Sequence, residues 1–178
     1  MNRIADSELI LNPDGSVYHL NLKPENIATD IIFVGDPDRV EKITQFFDSI
    51  EFSIQKREFK TQTGIYKGKR LTVLSTGIGP DNIDIVFNEL HALTAIDFNK
   101  LTYLKEPKSL DIIRLGTSGA LIPAIPLDTV LLTEYAIGLE GLIRNLMREN
   151  CPIEQLDFSN NWVNLSKMNG TIFNEFIV

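Results

Sequence analysis

An arginine at the end of an apolar run, followed by small hydroxyl residues, is the most chemically suggestive feature of this sequence. Residues 111–115 read DIIRL, and GTSG follows at 116–119. The apolar run predicts a buried strand that carries Arg114, Thr117 and Ser118 to its carboxyl end. A guanidinium at a buried position needs an anion, so either a protein carboxylate or a bound phosphate should meet it. Both alternatives stay open on these residues alone.

A second turn of this kind lies near the start of the chain. Residues 30–35 read DIIFVG, and Asp36 and Pro37 suit the N-cap and the first position of a helix. A strand, a glycine turn and a helix N-terminus can receive phosphate, because unpaired N–H groups and the helix dipole face the ligand. Arg39 in the first helical turn opposes that dipole unless an anion is near. The alternative is an exposed arginine neutralised by Asp36 or Asp38.

Two further candidate residues are His19 and Arg57, whose sequence surroundings indicate no function. His19 lies in the polar, turn-rich opening segment, residues 1–30, which is predicted to be an arm, and a histidine there is typical of a surface. Arg57 belongs to the basic pair at 56–57, which is typical of a solvated strand edge. Both acquire a role only from the family resemblance given below.

The elements that must position these residues alternate between strands and helices. Residues 50–75 predict three strands in a meander with a tight hairpin at 67–69, and residues 81–97 carry a helical apolar stripe. A further strand is predicted at 127–134 and a helix at 137–148. This order predicts an α/β fold: a single three-layer domain with a mixed, mostly parallel sheet and helices on both faces. The turns that would line one crevice at its carboxyl edge follow Val34, Ser75 and Leu115.

Composition limits the possible partners. The 178 residues are 43% apolar, which suits one globular domain, and the net charge of −7 argues against a nucleic-acid or anionic-membrane surface. The single cysteine, Cys151, excludes an internal disulfide framework and a Cys-rich zinc site. No signal peptide or membrane span is predicted, so a cytoplasmic location is expected. Without G-x-G-x-x-G or a Walker loop, a nucleotide cofactor is disfavoured.

Four motifs occur together in an order that resembles a known family. They are GDPDRV at 35–40, KREF at 56–59, STGIG at 75–79 and RLGTSG at 114–119. In order and approximate spacing they resemble the nucleoside phosphorylase superfamily with a hexameric-type subunit, and within it most of all the uridine phosphorylases. The resemblance implies reversible phosphorolysis of a nucleoside, with inorganic phosphate as co-substrate and no organic cofactor.

The resemblance also implies roles for particular residues. The phosphate-binding residues would be Gly35, Arg39, Arg57, Arg114 and Thr117. Arg57 would come from a neighbouring subunit, and Thr117 would bridge phosphate and ribose. Arg114 and Thr117 would be the catalytic residues. His19 would reach across a dimer to the ribose 5′-hydroxyl, so a homodimer or a higher homo-oligomer with shared sites is expected.

Some features of the family are not found in this sequence. Family members bind the ribose diol and the base through later segments, and residues 151–178 match no family motif, so the domain is expected to be missing its C-terminal part. Some relatives hold a monovalent cation with the glutamate matching Glu58, but the assisting serine is replaced by Asn82, and no metal is predicted. Three alternatives remain: a purine nucleoside phosphorylase, a nucleosidase, and a truncated, non-catalytic phosphate-binding or oligomerisation module.

Overall fold

The computed structural model describes residues 3–133 and the backbone of a short strand near the end of the chain. The strands are β1 (Asp30–Val34), β2 (Ser49–Lys56), β3 (Phe59–Tyr66), β4 (Lys69–Ser75), β5 (Ile96–Asp97), β6 (Thr102–Tyr103), β7 (Asp111–Gly116), β8 (Leu131–Leu132) and β9 (Glu175–Ile177). The helices are α1 (Pro37–Thr44) and α2 (Pro80–Ala95), and a short 3₁₀ turn spans Pro24–Asn26.

The main sheet is mixed, as the sequence predicts. Its strand order is β2-β3-β4-β1-β7-β9-β8, and β1 pairs in parallel with both β4 and β7. The meander β2-β3-β4 is antiparallel. Because β2, β4, β1 and β7 therefore run in one direction, their carboxyl ends lie at the same edge of the sheet. The turns of interest follow these ends.

Helix α1 begins as the sequence predicts. Asp36 is the N-cap, and its side chain accepts a hydrogen bond of 2.9 Å from the backbone N–H of Asp38. Pro37 occupies the first turn, where its fixed φ suits a helix and its missing N–H costs nothing. The cap satisfies one of the unpaired donors at this end and sets the direction in which the helix leaves β1.

The meander closes through turns whose backbone enters the left-handed region. Lys67 and Gly68 have φ values of 48° and 78°, as a two-residue hairpin loop with the twist of the strands requires. At the other end of β3, Arg57 has a φ of 56° and connects β2 to β3. The tight hairpin predicted at 67–69 is confirmed.

Helices cover both faces of the sheet, which confirms the three-layer prediction. On one face Ile31 and Phe33 of β1 pack in a core with Val86 and Leu90 of α2. Alternate residues of β1 face the other way, so Val34 packs with Val40 of α1. Each fully buried side chain of this size contributes roughly 1.5–3 kcal/mol. The two cores fix both helices, and with them the turns at the carboxyl edge.

The described part of the opening segment, residues 3–29, contributes side chains to the core under α2, so this part does not form the predicted arm. Val17, Leu20 and Leu22 are at most 1% exposed and belong to the core beneath α2. The sequence does not predict the burial of these three residues, because their neighbours are polar and irregular structure has no periodicity that would indicate a buried face. This packing places His19 beside α2.

The chain after β4 differs in detail from the sequence prediction. The connection between α2 and β7, for which no strand is predicted, contains a small hairpin in which β5 pairs with β6. The strand predicted at 127–134 is wrong in extent, because within its described part, residues 127–133, only Leu131–Leu132 form a strand and Asp128 has a left-handed φ of 63°. The helix predicted at 137–148 lies outside the described residues. None of the helices described is long and apolar enough to cross a membrane.

Candidate active site

The turns after β1 and β7 meet at the carboxyl edge of the sheet. Parallel pairing places Val34 opposite Leu115, so strands β1 and β7 end at the same level of the sheet. Across this gap Arg39 donates a hydrogen bond from Nη2 to Thr117 Oγ1 at 3.1 Å, although 78 positions separate the two residues. A contact of this range joins the first turn of α1 to the small-residue turn that follows β7.

Gly35 completes this group because its backbone lies close to a guanidinium. A Cβ built on Gly35 would stand 3.8 Å from Arg114 Nη2 and 4.0 Å from the carbonyl oxygen of Gly77. Arg39 and Arg114 are both half-buried. We call Gly35, Arg39, Arg114 and Thr117 the cationic turn cluster. Two forked cations, a hydroxyl and an exposed backbone can together surround a tetrahedral oxyanion.

The turn after β4 lies next to this cluster. The backbone N–H of Thr76 donates to the carbonyl oxygen of Val34 at 2.8 Å, which extends the pairing of β4 with β1 by one residue. Gly77 then has a φ of +70°, and a Cβ at this position would lie 2.6 Å from Asn82 Nδ2 and 2.8 Å from Glu58 Cγ. Only glycine fits this conformation and this space together.

Arg57 lies away from the cationic turn cluster within one chain. It occupies the turn between β2 and β3, and both β4 and β1 lie between β3 and β7. At the usual spacing of strands, about 4.8 Å, that turn stands roughly 15 Å from β7. Arg57 is exposed at the same edge of the sheet as the cluster. Within one chain, the strands β4 and β1 therefore separate the turn of Arg57 from the strand of Arg114.

His19 is held by a residue that the sequence analysis missed. Its Nδ1 lies 2.7 Å from Oε1 of Glu89 on α2, and the backbone N–H of His19 donates to the same oxygen at 2.8 Å. The N–H of Leu20 donates to the other carboxylate oxygen at 2.8 Å. Glu89 is a carboxylate on a helix, where such a side chain is ordinarily solvated, so the sequence carries no local signal that could have marked it.

Lys56 connects the histidine segment to the end of β2. Its ammonium donates to the carbonyl oxygen of Tyr18, to Asn12 Oδ1 at 3.2 Å, and lies 4.6 Å from the centre of the Tyr18 ring. Lys56 directly precedes Arg57, so His19 and Arg57 are held on one part of the surface. We call these two residues, with Lys56 and Glu89, the histidine–arginine cluster.

A polar network stiffens the loop that precedes His19. Asn12 Nδ2 donates to Ser16 Oγ and Asn21 Oδ1, both at 2.9 Å, and Ser16 Oγ donates to Asp14 Oδ1 at 2.7 Å. The hydrogen bonds from the side chain and backbone of Ser16 lower the pKa of Asp14 below its usual value. The loop therefore presents the following segment to α2 in a fixed shape.

The described residues offer no clustered metal ligands, and their cavity lies away from the cationic turn cluster. In the parts of the chain that the structure describes, no group of three or more His, Cys, Asp or Glu side chains is arranged to hold a metal ion. A cavity of about 280 Å³ is lined by Arg70, Lys108 and Leu110 among others. These residues stand at the amino ends of the parallel strands, so the cavity does not belong to the cationic turn cluster.

Comparison with known proteins gives the relationship of the chain. The phosphorylase superfamily matches residues 29–168, which include the cationic turn cluster and Arg57. The chain belongs to the phosphorylase superfamily. The family resemblance predicted from the four motifs is therefore confirmed.

Members of the superfamily with known activity are similar to this chain. A uridine phosphorylase of Thermococcus kodakarensis is 32% identical over 152 residues, which are 85% of this chain and 50% of that protein. A crystal structure of a Trypanosoma brucei nucleoside phosphorylase that shows uridine phosphorylase activity superimposes with a TM-score of 0.69 at 35% identity, covering 84% of this chain and 56% of that one.

A purine nucleoside phosphorylase is also similar. The purine nucleoside phosphorylase of Toxoplasma gondii, solved with immucillin-H, gives a TM-score of 0.65 at 27% identity and covers 80% of this chain and 52% of that one. The chain spans about half the length of the curated relatives that it matches.

Proposed function

We propose that this chain forms part of a nucleoside phosphorylase that cleaves uridine with inorganic phosphate to give uracil and ribose 1-phosphate. The observation that carries the proposal is the hydrogen bond from Arg39 to Thr117, which joins two cationic turns at one edge of the sheet. Membership of the phosphorylase superfamily and similarity to uridine phosphorylases support the same reaction.

In this proposal the cationic turn cluster binds phosphate. Arg39 and Arg114 provide forked donors for the dianion, and Gly35 allows its oxygens to approach the backbone closely. Thr117 accepts from Arg39, so its own proton remains available for an oxygen of phosphate or ribose. A dianion oriented in this way is positioned as a nucleophile before the reaction begins.

The reaction then exchanges one bond at C1′ for another. A phosphate oxygen bonds to C1′ as the glycosidic bond breaks, and the electron pair of that bond leaves with the base. The proton of hydrogen phosphate ends on uracil, so charge and atoms balance without a cofactor. The anion next to C1′ stabilises the positive charge that develops on the ribose ring, and donors around such a site each contribute on the order of 2–4 kcal/mol.

We propose that the histidine–arginine cluster serves the site of a second copy. Arg57 would donate to the phosphate of its partner, and His19 would contact the ribose 5′-hydroxyl there. The roughly 15 Å that separates the Arg57 turn from β7 within one chain supports this arrangement. A homodimer or a higher homo-oligomer follows, because neither cluster is complete alone.

The identity of the nucleobase is the part of the proposal that has a supported alternative. Similarity to the purine nucleoside phosphorylase of Toxoplasma gondii favours a purine as the second candidate. A nucleosidase is less suitable, since water in place of phosphate needs no pair of arginines such as Arg39 and Arg114. A cytoplasmic location belongs to the same proposal, because one cysteine suits a reducing compartment.

One assay separates these functions. The protein is incubated with uridine, thymidine or inosine, with and without phosphate, and release of the free base is followed. The proposal expects uracil release that depends on phosphate. Release of hypoxanthine from inosine would favour the purine phosphorylase, and cleavage without phosphate would favour a nucleosidase. If phosphate raises the melting temperature by mass action and no nucleoside is cleaved, the chain is a non-catalytic phosphate-binding module.

A further inference from the structure

The carboxylate of Glu89 receives three donors from two consecutive residues. Oε1 lies 2.7 Å from His19 Nδ1 and 2.8 Å from the His19 backbone N, while Oε2 lies 2.8 Å from the backbone N of Leu20. The Glu89 side chain is only 14% exposed, and that of His19 is 29% exposed. Such a set of contacts fixes both the position of the segment and the plane of the imidazole ring.

This arrangement determines which nitrogen of His19 carries the proton. An ionised carboxylate only accepts hydrogen bonds, so the ring nitrogen that faces it must be a donor. Neutral His19 is therefore the Nδ1–H tautomer, and Nε2 keeps its lone pair. Nε2 lies on the opposite side of the ring from Glu89 and makes no hydrogen bond within the described part of the chain.

Glu89 is itself held rigidly. It lies on α2 between Val86 and Leu90, which are 0% and 1% exposed and belong to the core under the helix. A carboxylate on a rigid helix can align a ring, whereas one on a mobile loop cannot. The second anchor, the bond from Lys56 to the carbonyl oxygen of Tyr18, holds the residue before His19.

We infer that Glu89 is a positioning residue that fixes His19 as the Nδ1–H tautomer and turns Nε2 toward the ribose 5′-hydroxyl. The inference rests on the proposed function, in which His19 contacts this hydroxyl in a second copy of the chain. Nε2 then accepts a hydrogen bond from the ribose 5′-hydroxyl, which keeps its proton. Glu89 acts through His19 and does not touch the substrate.

The kinetic test compares two substrates that differ only in the group His19 would bind. In the full-length protein, Glu89→Gln should lower kcat/KM for uridine about fivefold to tenfold, the effect of one ordinary hydrogen bond. It should change kcat/KM for 5′-deoxyuridine less than about twofold, because that substrate has no hydroxyl for Nε2. Glu51→Gln, which removes an exposed carboxylate paired with Arg70 at the start of β2, is the charge-matched control.

A double mutant shows whether Glu89 works through the ring. In a His19→Ala background, Glu89→Gln should cause no further loss with uridine, because the group that it positions is gone. A purely structural role would lower activity equally in both backgrounds and with both substrates. Either of those results overturns the inference. Thermal unfolding of each variant separates a loss of positioning from a loss of fold.

A spectroscopic experiment tests the tautomer of His19 without depending on catalysis. The chain has two histidines, so replacing the exposed His91 by Gln leaves the ¹⁵N signals of His19 alone. At a pH where the ring is neutral, the spectrum should show a protonated Nδ1 and an unprotonated Nε2, and Glu89→Gln should abolish this preference. An unchanged tautomer in the variant overturns the inference. If the unmutated protein releases no uracil, the proposed function fails, and this spectrum still decides whether Glu89 sets the tautomer.

Discussion

At the scale of single residues, the hydrogen bond between Arg39 and Thr117 does more than join two turns. The guanidinium donates to Thr117 Oγ1, so the hydroxyl proton must point elsewhere. That leaves the hydroxyl poised as a donor on the same edge as Arg114 and Gly35. A cation therefore orients a neutral donor, and both are in place before a ligand arrives. Preorganisation of this kind is what makes such donors effective in a transition state.

Arg114→Ala tests the cationic turn cluster most directly. The change should lower kcat/KM for phosphorolysis by about a hundredfold to a thousandfold, because one oriented cationic donor is worth roughly 2–4 kcal/mol in a site of this type. The far-ultraviolet circular dichroism spectrum should be unchanged. Arg3→Ala, which removes an exposed arginine paired with Asp6, is the control and should keep full activity. Activity of Arg114→Ala equal to that of the unmutated protein would eliminate the site.

Gly35→Ala should impair phosphate binding with little effect on the stability of the protein. Its φ lies outside the left-handed region, and the new Cβ would meet Arg114 Nη2 at an ordinary contact distance of 3.8 Å. We therefore expect a change in the free energy of unfolding below about 1 kcal/mol. The methyl group would occupy space that a phosphate oxygen needs, so KM for phosphate should rise at least about tenfold, with a smaller change for uridine. Equal changes for both substrates would place phosphate elsewhere.

The sequence predicts some of these residues and not others for a physical reason. Arg114 and Gly35 follow apolar runs, where a cation or a glycine is conspicuous against its neighbours. Glu89 lies on a helix surface, where a carboxylate is ordinarily solvated, and only its contacts with His19 distinguish it. A contact between residues 70 positions apart leaves no trace in local composition.

At the scale of elements, three turns at one edge carry the site, and the turn after β4 is the most constrained of them. Gly77 combines a left-handed φ of +70° with side-chain atoms of Asn82 and Glu58 where a Cβ would stand. Thr76 ties the same turn to β1 through the carbonyl oxygen of Val34. A shift of this turn would therefore move the edge on which Gly35 lies.

Gly77→Ala should consequently destabilise the protein more than a glycine replacement that meets no neighbour. Gly68 provides the comparison, because its φ of +78° is similar and nothing lies within 4 Å of its Cβ position. Both changes impose left-handed strain of about 1–2 kcal/mol. Gly77→Ala should cost about 1–3 kcal/mol more, since Glu58 and Asn82 must move. Urea denaturation measures the difference, and equal losses would show that the space around Gly77 is not filled.

Elements were predictable where the local chemistry agrees with the fold. Asp36, Pro37 and the hairpin glycine Gly68 each favour the conformation observed. The opening segment was not predictable, because its buried residues follow no period and its packing depends on α2. The strand predicted at 127–134 is shorter than expected, since an apolar pattern alone cannot reveal the left-handed backbone at Asp128.

At the scale of the whole molecule, the two clusters occupy different parts of one chain. The cationic turn cluster lies at β1 and β7, whereas the histidine–arginine cluster lies at the end of β2 and beside α2. The chain carries a net charge of −7, so its cations attract an anion only where they converge. Two arginines from one copy and a third from another would provide that convergence at an interface.

Mixing two inactive variants tests whether Arg57 acts on a partner's site. In a dimer of Arg114→Ala and Arg57→Ala copies, one site loses both arginines and the other keeps both. Mixed dimers isolated with two different affinity tags should therefore regain about half of the unmutated activity per dimer, while each variant alone stays inactive. If Arg57 served its own chain, every site in the mixed dimer would lack one arginine and no activity would return. Recovery of activity thus depends on which copy supplies Arg57. A monomeric enzyme could not regain activity on mixing.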